Sequence, residues 1–225
     1  SSSNSQPPPE PPQRVRNEGI ASGVFNRLRW IDRFVRTMKD QYFGDINDYL
    51  KYGILRCLTA VSDLRVDVVW MLTDSDQRAD GGRTAYLRAP DLWRHHDPPL
   101  FDSLQRSLAA GERRVALVEQ GGLVPRARYL ERGVGDGRES RSSWAEALRR
   151  WLDPEALVFF DPDNGLEIAS VAPGRTGFAK YLAWDELASA WRRGASVLVY
   201  QHFPRETLPV VVQARDDAGD LQLRV

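Results

Sequence analysis

The 225-residue chain has the length and composition of one globular domain of ordinary size, with 42% hydrophobic and 28% charged residues. Its formal net charge of +0 excludes an overall field that would draw the chain to nucleic acid. The single Cys57 excludes an intramolecular disulfide and a cysteine-based zinc site. No apolar stretch approaches the roughly 20 residues of a membrane-spanning helix. We therefore expect a cytoplasmic protein that does not enter a membrane.

The N-terminal part of the sequence predicts a tail followed by two helices. Residues 1–18 are rich in Ser and Pro, a composition that favours a disordered tail. Apolar residues recur at helical spacing within residues 20–35 and again within residues 46–61. We expect residues 19–62 to form a helical extension of a single α/β domain that spans residues 19–225.

The rest of the chain alternates apolar strands with helices. The predicted strands are VDVVWMLT (66–73), ERRVALVEQGG (112–122), LVFF (157–160) and ASVLVYQHF (195–203). The predicted helices are SSWAEALRRWL (142–152) and YLAWDELASAWRRG (181–194). This alternation is typical of a mostly parallel sheet with helices on both faces, and the closing segment 209–225 predicts an antiparallel hairpin. We therefore expect an α/β, Rossmann-like fold.

Polar side chains follow each predicted strand at the point where it ends. They are Thr73-Asp74, Glu119-Gln120, Asp161-Pro162-Asp163-Asn164 and Gln201-His202. Because ligands bind at the carboxyl ends of the strands in open parallel sheets, these groups predict one site at a single edge. Glu119 ends the second predicted strand, where an acid can accept hydrogen bonds from ribose hydroxyls; an exposed strand-end acid is the alternative.

The segment ALVFFDPDNGLE places two acids and an amide directly after a strand. Pro162 fixes its own backbone and restrains Asp161 to an extended conformation. Asp161 and Asn164 are therefore candidates to hold a planar amine by accepting its N–H groups. Two alternatives stay open, namely a turn whose residues were chosen only for turn formation and a magnesium site. The oxygen ligands of that magnesium site would be Asp161, Asp163 and Glu167.

The segment YFGDINDYLKYGILRCL (42–58) resembles the N-terminal motif of the bacterial large-subunit ribosomal RNA adenine-N6 methyltransferases that act on a single adenine. In that family a segment G-N-x-A-D-V-x-K-H opens a helix before the first strand. Here Gly44, Asp48 and Lys51 occupy equivalent positions, with Asp45 in place of Asn and Tyr52 in place of His. LVFFDPDNGLE is similar to the D-P-P-Y-E segment, although DPDN lacks the aromatic residue that stacks on the target adenine.

The resemblance implies a class I methyltransferase-like enzyme that uses S-adenosylmethionine and acts on an amine of a nucleic acid or nucleotide, with RNA as the expected partner. It implies that Asp161 and Asn164 orient the amine. The implied cofactor-binding residues are Asp48, Lys51, Glu119 and Asp161, and the candidates for stacking on the base are Tyr42, Phe43 and His202. The alternative for Asp48 and Lys51 is a surface ion pair. The alternative functions are a magnesium-dependent nuclease or phosphotransferase and a catalytically inactive Rossmann-like binding module.

Overall fold

The structure is a computed structural model, and its described residues belong to one compact unit, Thr37–Val225. The described ranges are 40–73, 82–130, 132–201, 212–215 and 221–224. The predicted tail at residues 1–18, the helix predicted within residues 20–35 and the candidate stacking residue His202 all lie outside these ranges. None of the helices in the described ranges is long and apolar enough to cross a membrane.

The described ranges contain both helices and strands. The helices are α1 (Ile46–Ala60), α2 (Pro90–Trp93), α3 (Pro98–Ala109), α4 (Ala116–Gln120), α5 (Arg138–Trp151) and α6 (Trp184–Arg192). The strands are β1 (Val66–Trp70), β2 (Ala127–Tyr129), β3 (Leu157–Asp161), β4 (Gly165–Leu166), β5 (Tyr181–Leu182), β6 (Ser196–Val199), β7 (Val212–Arg215) and β8 (Leu221–Arg224). The predicted helices at 46–61 and 142–152 are therefore confirmed, with shifts of their ends. The predicted helix at 181–194 is confirmed for Trp184–Arg192, whereas Tyr181–Leu182 form strand β5.

Four strands form a parallel sheet in the order β2-β1-β3-β6. The prediction of an α/β chain with a mostly parallel sheet is confirmed. The chain passes from β1 to β2 on one side and then to β3 on the other side of β1, so the direction of the connections reverses between β1 and β3. Strands β4 and β5 pair with each other, and β7 and β8 form the predicted antiparallel hairpin.

Successive residues of the central strands point to opposite faces of the sheet, as strand geometry requires. Val68 of β1 and Phe159 of β3 are buried on one face, where α1, α3 and α4 pack. Val69 of β1 and Phe160 of β3 are buried on the other face, against α5 and α6. Both faces are thus covered, which explains why these strands read as uninterrupted apolar runs.

The predicted strand at residues 112–122 is wrong, because this segment contains helix α4. Its buried residues Val115 and Val118 are three positions apart, a spacing that a short helix and a short buried strand both allow. The second strand of the sheet is instead β2. Its middle residue Arg128 pairs at 2.6 Å with Asp67 of β1, a carboxylate that is 0% exposed, so no apolar run marks this strand in the sequence.

Candidate functional site

Three charged side chains from two distant segments of the chain meet at the carboxyl end of β3. The Nζ atom of Lys51 lies 2.7 Å from Oδ2 of Asp161 and 2.9 Å from Oδ1 of Asp48. The side chain of Lys51 is 11% exposed and those of Asp48 and Asp161 are 6% and 15% exposed. The alternative of a surface ion pair is therefore wrong. We call Asp48, Lys51 and Asp161 the charge cluster.

The start of α1 determines where Asp48 and Lys51 point. Asp45 caps the helix, because its Oδ1 atom accepts a hydrogen bond from the Asn47 N–H at 2.9 Å. Gly44 adopts a φ of 79° and donates its N–H to Oδ2 of Asp48 at 3.2 Å. Since residues three apart share a helix face, Asp48 and Lys51 both face the end of β3.

Lys51 carries a positive charge that burial does not remove. Burial by itself would lower the pKa of Lys51, but the charges of Asp161 and Asp48 outweigh burial and hold that pKa above its ordinary value. Burial also raises the pKa of the Asp48 carboxyl, although the charge of Lys51 opposes this shift. A lysine that stays protonated is a poor nucleophile. The charge cluster is therefore suited to holding charged or polar groups rather than to covalent amine chemistry.

Aromatic rings surround the charge cluster. The ring of Tyr200, the first residue after β6, has its centroid 4.7 Å from Nζ of Lys51, which is within the range of a cation–π contact. Tyr52 of α1 is buried and lies edge-on to Trp70, at 6.0 Å between ring centroids. Trp70 stacks on Tyr129 at the end of β2, also at 6.0 Å. The cluster thus has apolar walls, which strengthen its electrostatic interactions.

The loop after β3 is tied to the residues that follow the neighbouring strands. Oδ2 of Asp163 accepts a hydrogen bond from the Thr73 hydroxyl at 2.6 Å, and Thr73 follows β1. Oε1 of Gln201 accepts a hydrogen bond from the Leu166 N–H at 2.9 Å, and Gln201 follows β6. The polar residues after three of the strands therefore meet at one edge of the sheet, as the sequence predicts.

The remaining candidate residues have different surroundings. The backbone N–H of Asn164 donates to the Lys180 carbonyl at 2.8 Å, and the Asn164 side chain is exposed near the cluster's edge of the sheet. Glu119 is exposed on α4 and does not end a strand, so the position from which it was expected to bind ribose is wrong. Its charge nevertheless contributes, after burial, to the raised pKa of Tyr129 at the end of β2.

The two aromatic candidates before α1 differ in exposure. Phe43 is 0% exposed and belongs to the core cluster on the α1 face of the sheet. The expectation that Phe43 stacks on a base is wrong, because neither ring face is open to a ligand. Tyr42 is half-buried in a 3₁₀ turn at Asp40–Tyr42. Of these two side chains, only Tyr42 has a surface that a base could reach.

The three acids of the magnesium alternative have three separate roles. Asp161 pairs with Lys51, Asp163 accepts from Thr73, and Oε1 of Glu167 accepts from the Trp184 N–H at 3.1 Å. The last contact satisfies a free N–H group at the start of α6. Within the described ranges, no group of three or more His, Cys, Asp or Glu side chains is arranged to hold a metal ion.

Replacing Gly165 with alanine is expected to destabilise the loop after β3 by about 1–3 kcal/mol. Gly165 has a φ of 95°, and a Cβ atom there would overlap with the carboxamide of Gln201. Gly53→Ala is the matched control, since Gly53 is in α1 and a Cβ atom there meets nothing within 4 Å. The control should stabilise the protein slightly, because alanine favours helix. Urea unfolding measures both, and equal effects of the two substitutions would contradict the strained, tightly packed turn.

Comparisons of the chain with protein-family models, with curated proteins and with solved structures found no match.

Proposed function

We propose that the protein is a class I methyltransferase-like enzyme that uses S-adenosylmethionine and acts on an amine of a nucleic acid or nucleotide. One observation carries this proposal. Lys51 and Asp161, which are 110 positions apart in the chain, form a direct hydrogen bond of 2.7 Å. They belong to the two segments that resemble the ribosomal RNA adenine-N6 methyltransferases, the helix-opening motif and the strand end. Their contact supports the proposal because it brings the two segments together at one edge of the sheet.

The strand order supports the Rossmann-like part of the proposal. In doubly wound sheets of the order 2-1-3-4, ligands bind outside the carboxyl ends of the strands where the connections reverse. Here the order is β2-β1-β3-β6, and the reversal falls between β1 and β3. Asp161 is the last residue of β3 and is paired in register with Trp70, the last residue of β1. The charge cluster therefore lies where this class of sheet binds its ligands.

The side chains of the charge cluster suit the amino-acid end of S-adenosylmethionine, which carries both an ammonium and a carboxylate. Asp48 is a hydrogen-bond acceptor for the ammonium, and Lys51 is a cationic donor for the carboxylate. The cofactor would supply a methyl group on a positively charged sulfur. Tyr52, on the helix that carries Asp48 and Lys51, packs edge-on against Trp70, which stacks on Tyr129.

Asp161 has a second oxygen for the amine of the substrate. Lys51 contacts Oδ2 of Asp161, and Oδ1 has no hydrogen-bond partner within the described ranges. In the proposed reaction, Oδ1 accepts an N–H of the amine and turns the nitrogen lone pair toward the methyl group. Because methyl transfer depends on in-line approach, orientation is the main contribution that we assign to Asp161.

We expect S-adenosylhomocysteine to raise the melting temperature of the protein. A ligand that binds only the folded state at 100 times its Kd stabilises that state by about 2.7 kcal/mol. Thermal unfolding with S-adenosylhomocysteine and with magnesium chloride distinguishes the methyltransferase from the magnesium-dependent nuclease or phosphotransferase. A shift with magnesium alone would replace the methyltransferase proposal with the nuclease or phosphotransferase alternative. A shift with S-adenosylhomocysteine but no methyl transfer to any amine would favour the inactive binding module.

A further inference from the structure

Arg83 is held rigidly by its backbone at the start of α1. Its N–H donates to Oδ2 of Asp45 at 3.2 Å, and its carbonyl accepts from the Ile46 N–H at 3.1 Å. Asp45 is the capping residue of the same helix that carries Lys51. The Cα of Arg83 is therefore fixed relative to the charge cluster.

The side chain of Arg83, in contrast, has one weak ion pair within the described ranges. Nε lies 3.5 Å from Oδ2 of Asp45, and the side chain is 68% exposed. Within the described ranges, the two terminal nitrogens of this guanidinium have no hydrogen-bond partner. A guanidinium offers its donors as a planar fork that matches a carboxylate or a phosphate. Among the described residues, Arg83 thus has two guanidinium nitrogens that no protein group engages, on a backbone that is hydrogen-bonded to the start of α1.

The guanidinium of Arg83 lies at the start of the helix that carries Asp48 and Lys51, because its Nε is 3.5 Å from the capping residue Asp45. Burial raises the pKa of the Tyr200 phenol, and the positive charges of Lys51 and Arg83 both oppose that rise. The buried Lys51 contacts the Tyr200 ring, and the exposed Arg83 adds a second positive charge near the start of the same helix.

We propose that Arg83 binds an anionic group, a carboxylate or a phosphate, of a ligand that occupies the charge cluster. This inference rests on the proposed function, since it takes the charge cluster as a ligand site. It adds a binding residue outside both of the motifs that resemble the methyltransferase family. A carboxylate would come from the amino-acid end of the cofactor, and a phosphate would come from the nucleotide substrate.

The two sources are distinguished by titrating the protein with three probes. The probes are S-adenosylhomocysteine, which has the carboxylate, 5′-methylthioadenosine, which lacks the amino-acid end, and a short single-stranded RNA oligonucleotide. Arg83→Ala should weaken binding of the anionic ligand by about tenfold or more, and Arg83→Lys should retain part of the affinity. Arg94→Ala is the matched control, because Arg94 is 51% exposed and already pairs with Asp102 at 2.7 Å. Melting curves should match wild type for each variant, since both side chains are exposed.

The pattern of affinity losses identifies the anionic group that Arg83 binds. A loss for S-adenosylhomocysteine without a loss for 5′-methylthioadenosine assigns Arg83 to the carboxylate, whereas a loss for RNA alone assigns it to a phosphate. If wild type binds a probe and Arg83→Ala binds every probe equally well, the inference is overturned while the proposed function stands. If the wild-type protein binds none of the three probes, the proposed function fails and the inference fails with it.

Discussion

Replacing Lys51 with methionine is expected to lower the free energy of unfolding by about 3–5 kcal/mol at neutral pH. The substitution keeps most of the apolar length of the side chain but removes the cation between Asp48 and Asp161. These carboxylates are only 6% and 15% exposed, so water cannot replace the lost partner. Urea unfolding at pH 7 measures the effect. Arg94→Met, which breaks an exposed ion pair with Asp102, is the control and should leave stability nearly unchanged.

The cost of Lys51→Met should depend on pH in a defined direction. The pKa of Lys51 is raised above its unfolded value of 10.5, so its contribution to stability is full below about pH 10.5 and is lost as the pH rises further. Burial raises the pKa of the Asp48 carboxyl, and without Lys51 no cation opposes that rise, so the penalty for burying this charge disappears as the carboxyl becomes protonated. The difference between the variant and wild type should therefore shrink toward about pH 4. A difference that stays constant from pH 8 to pH 4 would contradict a buried charge cluster.

Replacing Asp161 with asparagine is expected to reduce methyl transfer by about a hundredfold or more. Asparagine keeps the shape of the side chain but loses the charge that fixes Lys51 and orients the amine. The affinity for S-adenosylhomocysteine should stay within a few-fold of wild type, because Asp48 still pairs with Lys51 at 2.9 Å and we assign the other oxygen of Asp161 to the substrate. The measurements are transfer of an isotope-labelled methyl group to RNA or nucleotides, and calorimetric titration with S-adenosylhomocysteine.

Two control substitutions test whether the effect of Asp161→Asn is specific to this carboxylate. Asp102→Asn changes an exposed aspartate on α3 and should leave transfer unchanged. Asp163→Asn changes the neighbouring acid, which accepts a hydrogen bond from Thr73, and should reduce transfer less than Asp161→Asn does. Equal losses at Asp161 and Asp163, accompanied by loss of magnesium binding, would instead support the metal-dependent alternative.

The sequence predicts those parts of the fold in which one physical signal dominates. The apolar run that forms β3 predicts a strand covered on both faces, and its end at Asp161 is where polar residues begin. Asp45 before a regular helical repeat predicts the start of α1. The approach of Lys51 to Asp161 is not encoded in either segment alone. The resemblance implied that both residues bind the cofactor, but their direct contact across 110 positions depends on how the chain folds.

The parts that the sequence does not predict depend on pairing between distant residues. Strand β2 has no apolar run because Arg128 neutralises the buried Asp67, and a charged residue in a three-residue strand gives no periodic signal. The sequence around Phe43 gives no sign that its ring is buried, but the core on the α1 face of the sheet covers it completely. Tyr200 has one signal in the sequence, since it directly precedes the polar pair Gln201-His202 at the predicted edge of the sheet.

A structure of the protein determined with bound S-adenosylhomocysteine is the most direct test of the central claim, that the charge cluster is a cofactor and amine site. We predict that the ligand lies outside the carboxyl ends of β1 and β3, with its amino-acid end within hydrogen-bond distance of Asp48 and Lys51. Oδ1 of Asp161 should face the sulfur, where a methyl group would be. A ligand bound elsewhere would contradict the claim. A structure determined at a saturating concentration of S-adenosylhomocysteine, with no ligand at the charge cluster, would also contradict it.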